Sequence, residues 1–345
     1  MADGVHVLDD YYLAITLLVT LAYQLFFFSI AFSLKFDKLT DFAGGTNFVI
    51  LAILTLALSR NPDARQVVAS VFIMAWGLRL SLFLLFRVLK TGKDYRFDDK
   101  RDKFFPFLGF WVFQMLWVWT CSLPVTILNS PAVQQYSPQA SFGTGRDIAG
   151  VVLFAIGFIM ESVSDVQRFL FRSRNDESAI CDSGFFNWSR HPNYFGEIII
   201  QFSIYMICVS AAADGPVGGQ AFKALYATIL GPFFLTILLM FVSGLPLSER
   251  PGAKKRYENG WNWEAYQRYL NRTSILIPVP PQIYERLPTI IKRTIFLEFP
   301  IYVFDPAKHS DAVNQQPAED EQLGNSATKD RRSGEPLTDS IRIVA

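Results

Sequence analysis

Seven long apolar stretches with almost no charged residues constrain this 345-residue chain more than any other feature. A transmembrane helix needs about 20 mostly apolar residues to cross the hydrocarbon core of a bilayer. The stretches lie near residues 11–34, 42–59, 67–86, 104–128, 148–163, 198–213 and 221–245. Only 18% of the residues are charged and 51% are hydrophobic, which is too apolar for a soluble domain of this size. We therefore predict an all-α, multi-pass membrane protein with about seven transmembrane helices.

Lysine and arginine are distributed unevenly between the loops, and this predicts the topology. The loop 87–103 holds seven of them, the loop 168–190 holds four, and the chain after Arg250 is basic again. By the positive-inside rule these loops are cytosolic. The N-terminus, which is acidic before the first stretch, then lies outside or in a lumen, and the C-terminus lies in the cytosol. The glycosylation sequons at Asn187 and Asn271 would be cytosolic and stay unmodified.

The last hundred residues divide into two parts. Residues 246–304 mix basic, aromatic and apolar residues, and we predict a cytosolic interfacial segment that ends, over 287–304, on the membrane surface. Residues 305–345 are polar and without apolar periodicity, which predicts a disordered tail after the 1–304 membrane domain. The three cysteines lie far apart in the chain and predict neither a disulfide framework nor a metal site.

Arg79 is a charged residue deep within the third apolar stretch, where a charge needs a partner. On a helix it shares a face with Phe83 and Arg87. The partner of a buried arginine is either a carboxylate on another helix or a bound phosphate or carbonyl. The sequence leaves a ligand role and a structural ion pair open for Arg79.

A polar stripe begins inside the fifth apolar stretch. Glu161, Asp165, Arg168 and Arg172 follow one another at steps of four, three and four, so a helix would place them on one narrow face. Surface ion pairs on a helix that leaves the membrane would explain such a stripe. Its start within an apolar run instead favours a functional surface. The fifth and sixth stretches are short for a full crossing, so we expect little tilt or an extension into polar residues.

Residues 187–197, Asn-Trp-Ser-Arg-His-Pro-Asn-Tyr-Phe-Gly-Glu, carry the strongest motif in the chain and lead directly into the sixth stretch. Pro192 suits the first position of a helix, so we predict that the helix begins there. Arg190 and His191 then lie at the helix N-terminus, where free N–H groups and the helix dipole favour an anion. We interpret this helix start as a phosphate site.

The first turns of the same helix form an inward polar face. Asn193, Glu197 and Gln201 recur at steps of four residues, and Gly196 permits close approach of another helix. The segment after the last apolar stretch mixes aromatic and basic residues, and Tyr266, Arg268 and Arg272 lie there within two helical turns. That mixture indicates either an interfacial belt with anionic lipid contacts or a nucleotide contact.

Several arginines at one cytosolic membrane edge indicate a ligand with several negative charges. A dinucleotide with an additional ribose phosphate fits this set better than a ligand with one carboxylate. The chain contains no Gly-rich strand-turn-helix fingerprint and no phosphate loop, so the cofactor site is predicted to be built from helices.

These motifs resemble the steroid 5-alpha-reductase superfamily, and in particular a membrane branch that carries its C-terminal domain (DUF1295-like). The likeness covers most of residues 35–282. It rests on Arg190 to Glu197, on Glu161, Asp165, Gln167 and Arg168, on Tyr266 to Tyr269 with Arg272-Thr-Ser, and upstream on Asp37 to Gly44 and Gly92 to Phe97.

The resemblance implies a seven-span fold that binds NADPH in a pocket open to the cytosol, while a lipid substrate comes from the bilayer. It also implies that the protein lies in the membrane of the endoplasmic reticulum. The implied reaction is reduction of a carbon–carbon double bond in a lipid or steroid-like enone. In such enzymes hydride passes to the β-carbon while an acid protonates the enone oxygen. By position the cofactor-binding residues would be Asp165, Arg172, Asn193 and Glu197, with Arg190, His191, Tyr194, Tyr266, Arg268 and Arg272 as further candidates.

The substrate half of the site departs from the steroid reductases. These use a glutamate of the second span and a tyrosine near the third, whereas the second span here has no Glu and Trp76 stands roughly at the tyrosine's place. Arg79 is then the one candidate for a contact to the substrate carbonyl.

Two other functions remain open. Membrane methyltransferases of the isoprenylcysteine or phospholipid type share an Arg-His-Pro-x-Tyr segment and use S-adenosylmethionine. The stripe formed by Glu161, Asp165 and Arg172, and the continuation through Asn193 and Glu197, favour the reductase over them. A seven-span receptor, a non-catalytic lipid-binding protein or an inactive reductase homologue would share the same spans.

Overall fold

Seven helical segments long and apolar enough to cross a membrane dominate the computed structural model, which describes residues 5–91 and 102–310. The first elements are α1 (Leu13–Ser33), α2 (Thr40–Leu58), α3 (Ala64–Thr91), α4 (Phe104–Leu128), the single turn α5 (Pro131–Gln134), α6 (Gly145–Arg174) and α7 (Pro192–Ala213). Two isolated bridges are the only β-type pairing in the described ranges. The predicted all-α, seven-span architecture is confirmed.

Consecutive spans run antiparallel, so each end of the bundle collects a defined set of residues. Arg65 in the first turn of α3 pairs with Asp147 in the first turn of α6. At the other end Lys35 after α1 pairs with Asp102 before α4. We call these the Arg65 end and the Arg190 end, since Arg190 lies just before α7. The Arg190 end is the one that the positive-inside rule predicts to be cytosolic.

The fifth span is much longer than its apolar stretch. Helix α6 continues to Arg174 over 30 residues, and at 1.5 Å per residue its length of about 45 Å exceeds a hydrocarbon core of about 30 Å. Thr144 and Asp147 begin it with a capping box. Its last turns carry the polar stripe beyond the apolar part. The predicted extension into polar residues is therefore what the structure contains.

The sixth span begins where the sequence indicated, because α7 starts at Pro192. The seventh is broken into α8 (Gly219–Ala227), α9 (Leu230–Ile237), a π-helical turn (Leu238–Val242) and α10 (Leu245–Glu258). Pro232 lacks a backbone N–H and Gly231 lies against α4, where a Cβ would come within 2.9 Å of the carbonyl oxygen of Thr120. The predicted span over 221–245 is present within Gly219–Glu258, but its helix is broken before Pro232.

Glycines bring two pairs of spans into backbone contact. A Cβ at Gly45 on α2 would lie 2.8 Å from the carbonyl oxygen of Gly77 on α3. A Cβ at Gly196 on α7 would lie 2.7 Å from the carbonyl oxygen of Gly157 on α6. Small residues allow such close approach, and packing of this kind drives helix association in lipid. The predicted role of Gly196 is confirmed.

Uncharged amides connect the first half of the bundle. Gln114 on α4 donates to Gln24 on α1 at 2.8 Å, and Gln24 donates to Asn47 on α2 at 3.0 Å. All three side chains are buried. Because each polar group inside a membrane bundle needs a partner, this chain of amides fixes how α1, α2 and α4 face one another.

The chain after α10 folds against the Arg190 end. It contains α11 (Trp263–Arg272), α12 (Pro281–Tyr284), α13 (Thr289–Thr294) and α14 (Pro306–His309). Ser189 pairs with Ser274 in a parallel bridge, and the Ser189 hydroxyl donates to the carbonyl of Leu276 at 2.7 Å. The predicted tail starts with α14, while its remainder, 311–345, and the motif 92–97 lie outside the described residues.

Candidate functional site

Arg79 lies between two carboxylates of α6. Its guanidinium donates to the Glu161 carboxylate, to the Glu161 carbonyl at 2.9 Å and to the Asp165 carboxylate at 2.5 Å. The side chains of Glu161 and Asp165 are 3% and 13% exposed. These contacts match the ion-pair alternative for Arg79, and a contact with a substrate carbonyl stays a prediction.

Asp165 extends this network to the start of α7. The Asn193 amide donates to the second carboxylate oxygen of Asp165 at 3.2 Å. Asn193 is the second residue of α7, whereas Asp165 is twenty residues into α6, so the contact lies at the Arg190 end of the membrane-spanning region. We call Arg79, Glu161, Asp165 and Asn193 the rim network.

Acceptor oxygens in the rim network are left without a hydrogen bond within the described residues. These are Oε2 of Glu161 and Oδ1 of Asn193. Gln201, two turns further along α7, is fully buried with both amide atoms unpaired there. Glu197 lies between Asn193 and Gln201 and interacts electrostatically with Asp165 and Arg79. Two carboxylates therefore pair directly with Arg79, and the third, Glu197, acts on it electrostatically.

Arg190 and His191 hold carboxylates instead of facing open solvent. Arg190 pairs with Glu249 of α10 at 2.9 Å and with Glu298 of the C-terminal segment. His191 lies 2.7 Å from the other oxygen of Glu249. Burial lowers the pKa of His191, while the hydrogen bond to Glu249 opposes that shift. The two side chains are buried, and the phosphate role predicted for them stays a prediction.

The loop 175–183 gathers three arginines, of which Arg172 and Arg272 reach solvent and Arg256 is buried. Arg172 donates to the carbonyl of Glu177 at 3.2 Å, and Arg272 pairs with Asp182 at 2.7 Å. Arg256 of α10 donates to the carbonyls of Ser178 and Ala179, each at 2.7 Å. The loop thus connects α6, α10 and α11 through guanidinium groups.

The remaining predicted residues are Tyr194, Tyr266 and Arg268. Tyr194 stacks on His191 with a centroid distance of 5.0 Å. The Arg256 guanidinium lies 4.7 Å from the centre of the Tyr266 ring, and burial raises the pKa of Tyr266. Arg268 is exposed on α11. The structure brings Arg79, Asp165 and Asn193 into direct contact, whereas Arg172 and Arg272 meet the separate loop 175–183.

Two residues that the sequence analysis did not single out, Glu298 and Gly157, also belong to the candidate site. Glu298 contacts Arg190 and also accepts from the Tyr284 hydroxyl at 2.7 Å. Its sequence signal was a single charged residue within an apolar stretch, as it was for Arg79. Gly157 was not predicted, although it shares a face of α6 with Gly150, because glycines on a helix face do not show which helix they will contact.

A family profile matches this chain over residues 27–273, which is most of its length. The chain belongs to the DUF1295 family. Its description is "Protein of unknown function (DUF1295)", and it is the steroid 5-alpha-reductase-like membrane branch that the motifs indicated, so the resemblance is confirmed. No curated protein and no solved structure matches the chain.

The match to DUF1295 includes both clusters of the candidate site. The rim network and the Arg190–Glu249 pair lie within residues 27–273, whereas Glu298 and the segment that carries it follow the matched part. Membership therefore relates the site to this family of membrane proteins and leaves its ligand to be argued from the chemistry of the residues.

Proposed function

We propose that this DUF1295 chain is an NADPH-dependent membrane reductase of an activated carbon–carbon double bond in a lipid. The rim network carries the proposal, because it places an arginine, carboxylates and an amide at one edge of the membrane. At such an edge a lipid in the bilayer and a cofactor in the aqueous phase can meet. Membership in the steroid 5-alpha-reductase-like branch supports the same reaction class.

The residues at this edge offer the hydrogen-bond donors and acceptors that a nicotinamide dinucleotide needs. The unpaired oxygens of Asn193 and Glu161 can accept from a carboxamide N–H. Arg172, Arg268 and Arg272 supply guanidinium groups for phosphates nearer to solvent. We assign the phosphates to these three residues because their side chains reach solvent, whereas the side chain of Arg190 is buried against Glu249 and Glu298.

NADPH, when bound, would supply a hydride for the β-carbon of the substrate. The protein's part is to orient both molecules and to favour the charge that develops on the substrate carbonyl. Arg79 holds Asp165, and Asp165 in turn holds Asn193, so the acceptor oxygen of Asn193 has a defined direction. Arg190 and His191 fix the first turn of α7 to α10 and keep Asn193 and Glu197 at the rim.

Binding of NADPH to the detergent-purified protein, followed by nucleotide fluorescence, tests the proposal. We expect saturable binding that Asn193→Ala and Arg172→Ala each weaken roughly tenfold or more, as expected for the loss of a hydrogen bond to a charged or buried group. Arg174→Ala is the matched control, because Arg174 is an exposed arginine two residues further along the same helix.

The outcomes separate the competing functions. Binding that is lost in both variants and kept in Arg174→Ala supports a reductase and leads to turnover assays with lipid enones. Binding of S-adenosylmethionine in place of NADPH would assign a methyltransferase. If neither NADPH nor S-adenosylmethionine binds, the result contradicts both a reductase and a methyltransferase. A receptor, a lipid-binding protein or an inactive homologue would then be left.

A further inference from the structure

The segment 281–304, which we call the surface segment, exposes large apolar side chains. Ile283, Ile290 and Ile295 are 55%, 70% and 60% exposed, and Ile301 and Val303 are about half exposed. Single exposed apolar residues are common on any protein surface, but five within one short segment need a partner. Lipid-facing residues of the spans, such as Phe26 at 61%, show the same exposure.

The opposite face of the surface segment is attached to the bundle, so the exposed face has a fixed direction. The buried Tyr284 donates to Glu298, which pairs with Arg190 before α7. The buried Tyr302 donates at 2.5 Å to the carbonyl of Met240, which lies in the π-helical turn of the seventh span. With these residues directed inward, the isoleucines point away from the bundle.

The exposed face continues the lipid-facing surface of the seventh span. Phe299 stacks on Phe241 with a centroid distance of 5.8 Å, and Phe241 is itself 48% exposed. Met240 and Phe241 lie at the end of the apolar part of that span, since α10 after them is polar. In a bilayer that covers the apolar part of the seventh span, the surface segment would therefore lie at the depth of the lipid headgroups.

Basic residues accompany the apolar ones. Arg286 and Arg293 are exposed, and Arg293 lies on α13 three residues after Ile290, on the same helix side. Of the two carboxylates in the segment, Glu298 is paired with Arg190, which leaves Glu285 on the exposed side. An apolar face flanked by arginines at headgroup depth has the chemistry of a surface that binds anionic lipids.

We propose that the surface segment binds the anionic phospholipids of the leaflet at the Arg190 end, with its isoleucines in the acyl boundary and Arg286 and Arg293 at the phosphates. This interaction is independent of whether the protein binds NADPH.

The position of the segment can be measured with the full chain in vesicles. In a Cys181→Ser background, in which the remaining cysteines Cys121 and Cys208 are buried, Ile290→Cys carries an environment-sensitive fluorophore. A nitroxide-labelled lipid serves as quencher. Phe241→Cys is the lipid-facing control, and Asn175→Cys, in the exposed loop after α6, is the aqueous control.

We expect the label at Ile290→Cys to be quenched like that at Phe241→Cys and unlike that at Asn175→Cys. Quenching should be roughly twofold stronger in vesicles with about one-third phosphatidylserine than in phosphatidylcholine alone, because each arginine near an anionic surface adds to the attraction. Arg286→Glu together with Arg293→Glu should remove the difference between the two lipids. Quenching as weak as at Asn175→Cys, or equal in both lipids, would overturn the proposal, and the first result would point to a protein partner.

Discussion

Arg79 carries its charge into the bundle because two carboxylates of α6 meet it there. The cost of burying three charged groups is offset only while they remain together. Asp165 also depends on this arrangement, because its second oxygen holds Asn193 at the start of α7. A single arginine thus influences both the packing of α3 on α6 and the geometry of the rim network.

Removing the charge of Arg79 tests whether the buried carboxylates of Glu161 and Asp165 depend on it. Arg79→Met leaves Glu161 and Asp165 without their cation, and we expect a loss of about 3–5 kcal/mol in the free energy of unfolding. The measurement is thermal unfolding of the purified protein in detergent. Lys90→Met, which removes an exposed charge from the same helix, should have little effect.

A double variant distinguishes an unpaired charge from a simple packing defect. Arg79→Met with Glu161→Gln should be more stable than Arg79→Met alone, since the buried carboxylate that lost its partner is then neutral. Equal or lower stability of the double variant would contradict an ion pair as the reason for the effect.

At the scale of the element, the contact between α6 and α7 sets the site. Gly157 and Gly196 allow the two backbones to touch, and Glu161 and Asn193 lie within one turn of these glycines. The distance between the helices therefore decides whether Asn193 reaches Asp165. A substitution elsewhere that moves α6 and α7 apart would therefore break the hydrogen bond, even with Asn193 and Asp165 unchanged.

A methyl group at the helix contact should separate these elements. In Gly196→Ala the new Cβ would meet the Gly157 carbonyl oxygen at 2.7 Å and the Glu161 nitrogen at 2.8 Å. We expect a loss of about 1–3 kcal/mol in stability and weaker NADPH binding. Gly109→Ala is the control, because nothing lies within 4 Å of its Cβ position. Equal effects of the two substitutions on unfolding temperature would argue against the close contact.

The orientation of the whole molecule follows from which end faces the cytosol. Asn187 and Asn271 lie in two sequons at the Arg190 end, near the Ser189–Ser274 bridge. The loop before α6, which joins the Arg65 end, can be given a sequon by Gln139→Asn, since Ala140 and Ser141 follow.

Glycosylation therefore reports the topology. We expect no glycan on the native chain and one glycan on the Gln139→Asn variant, seen as a glycosidase-sensitive shift on a gel after expression in eukaryotic cells. A glycan on the native sequons, with none added by Gln139→Asn, would reverse the predicted orientation.

The spans, the start of α7 and the polar residues at the rim could all be predicted from the amino-acid sequence. These are local properties, because hydropathy, the position of Pro192 and the four-residue spacing of the stripe act within one helix. The family resemblance depended on the same local motifs. Even the extension of α6 beyond its apolar stretch could be expected from the charged residues that follow it.

Which of these residues contact one another depends on how the helices pack and could not be predicted. Arg79 pairs with carboxylates more than eighty residues away, and Arg190 pairs with Glu298 at a separation of 108 residues. Arg65, which lies in the sequence between the second and third apolar stretches, is fully buried against Asp147. A charge shows that a partner is needed, but the choice of partner depends on how the helices pack, and the glycine contacts that set this packing lie between distant parts of the chain.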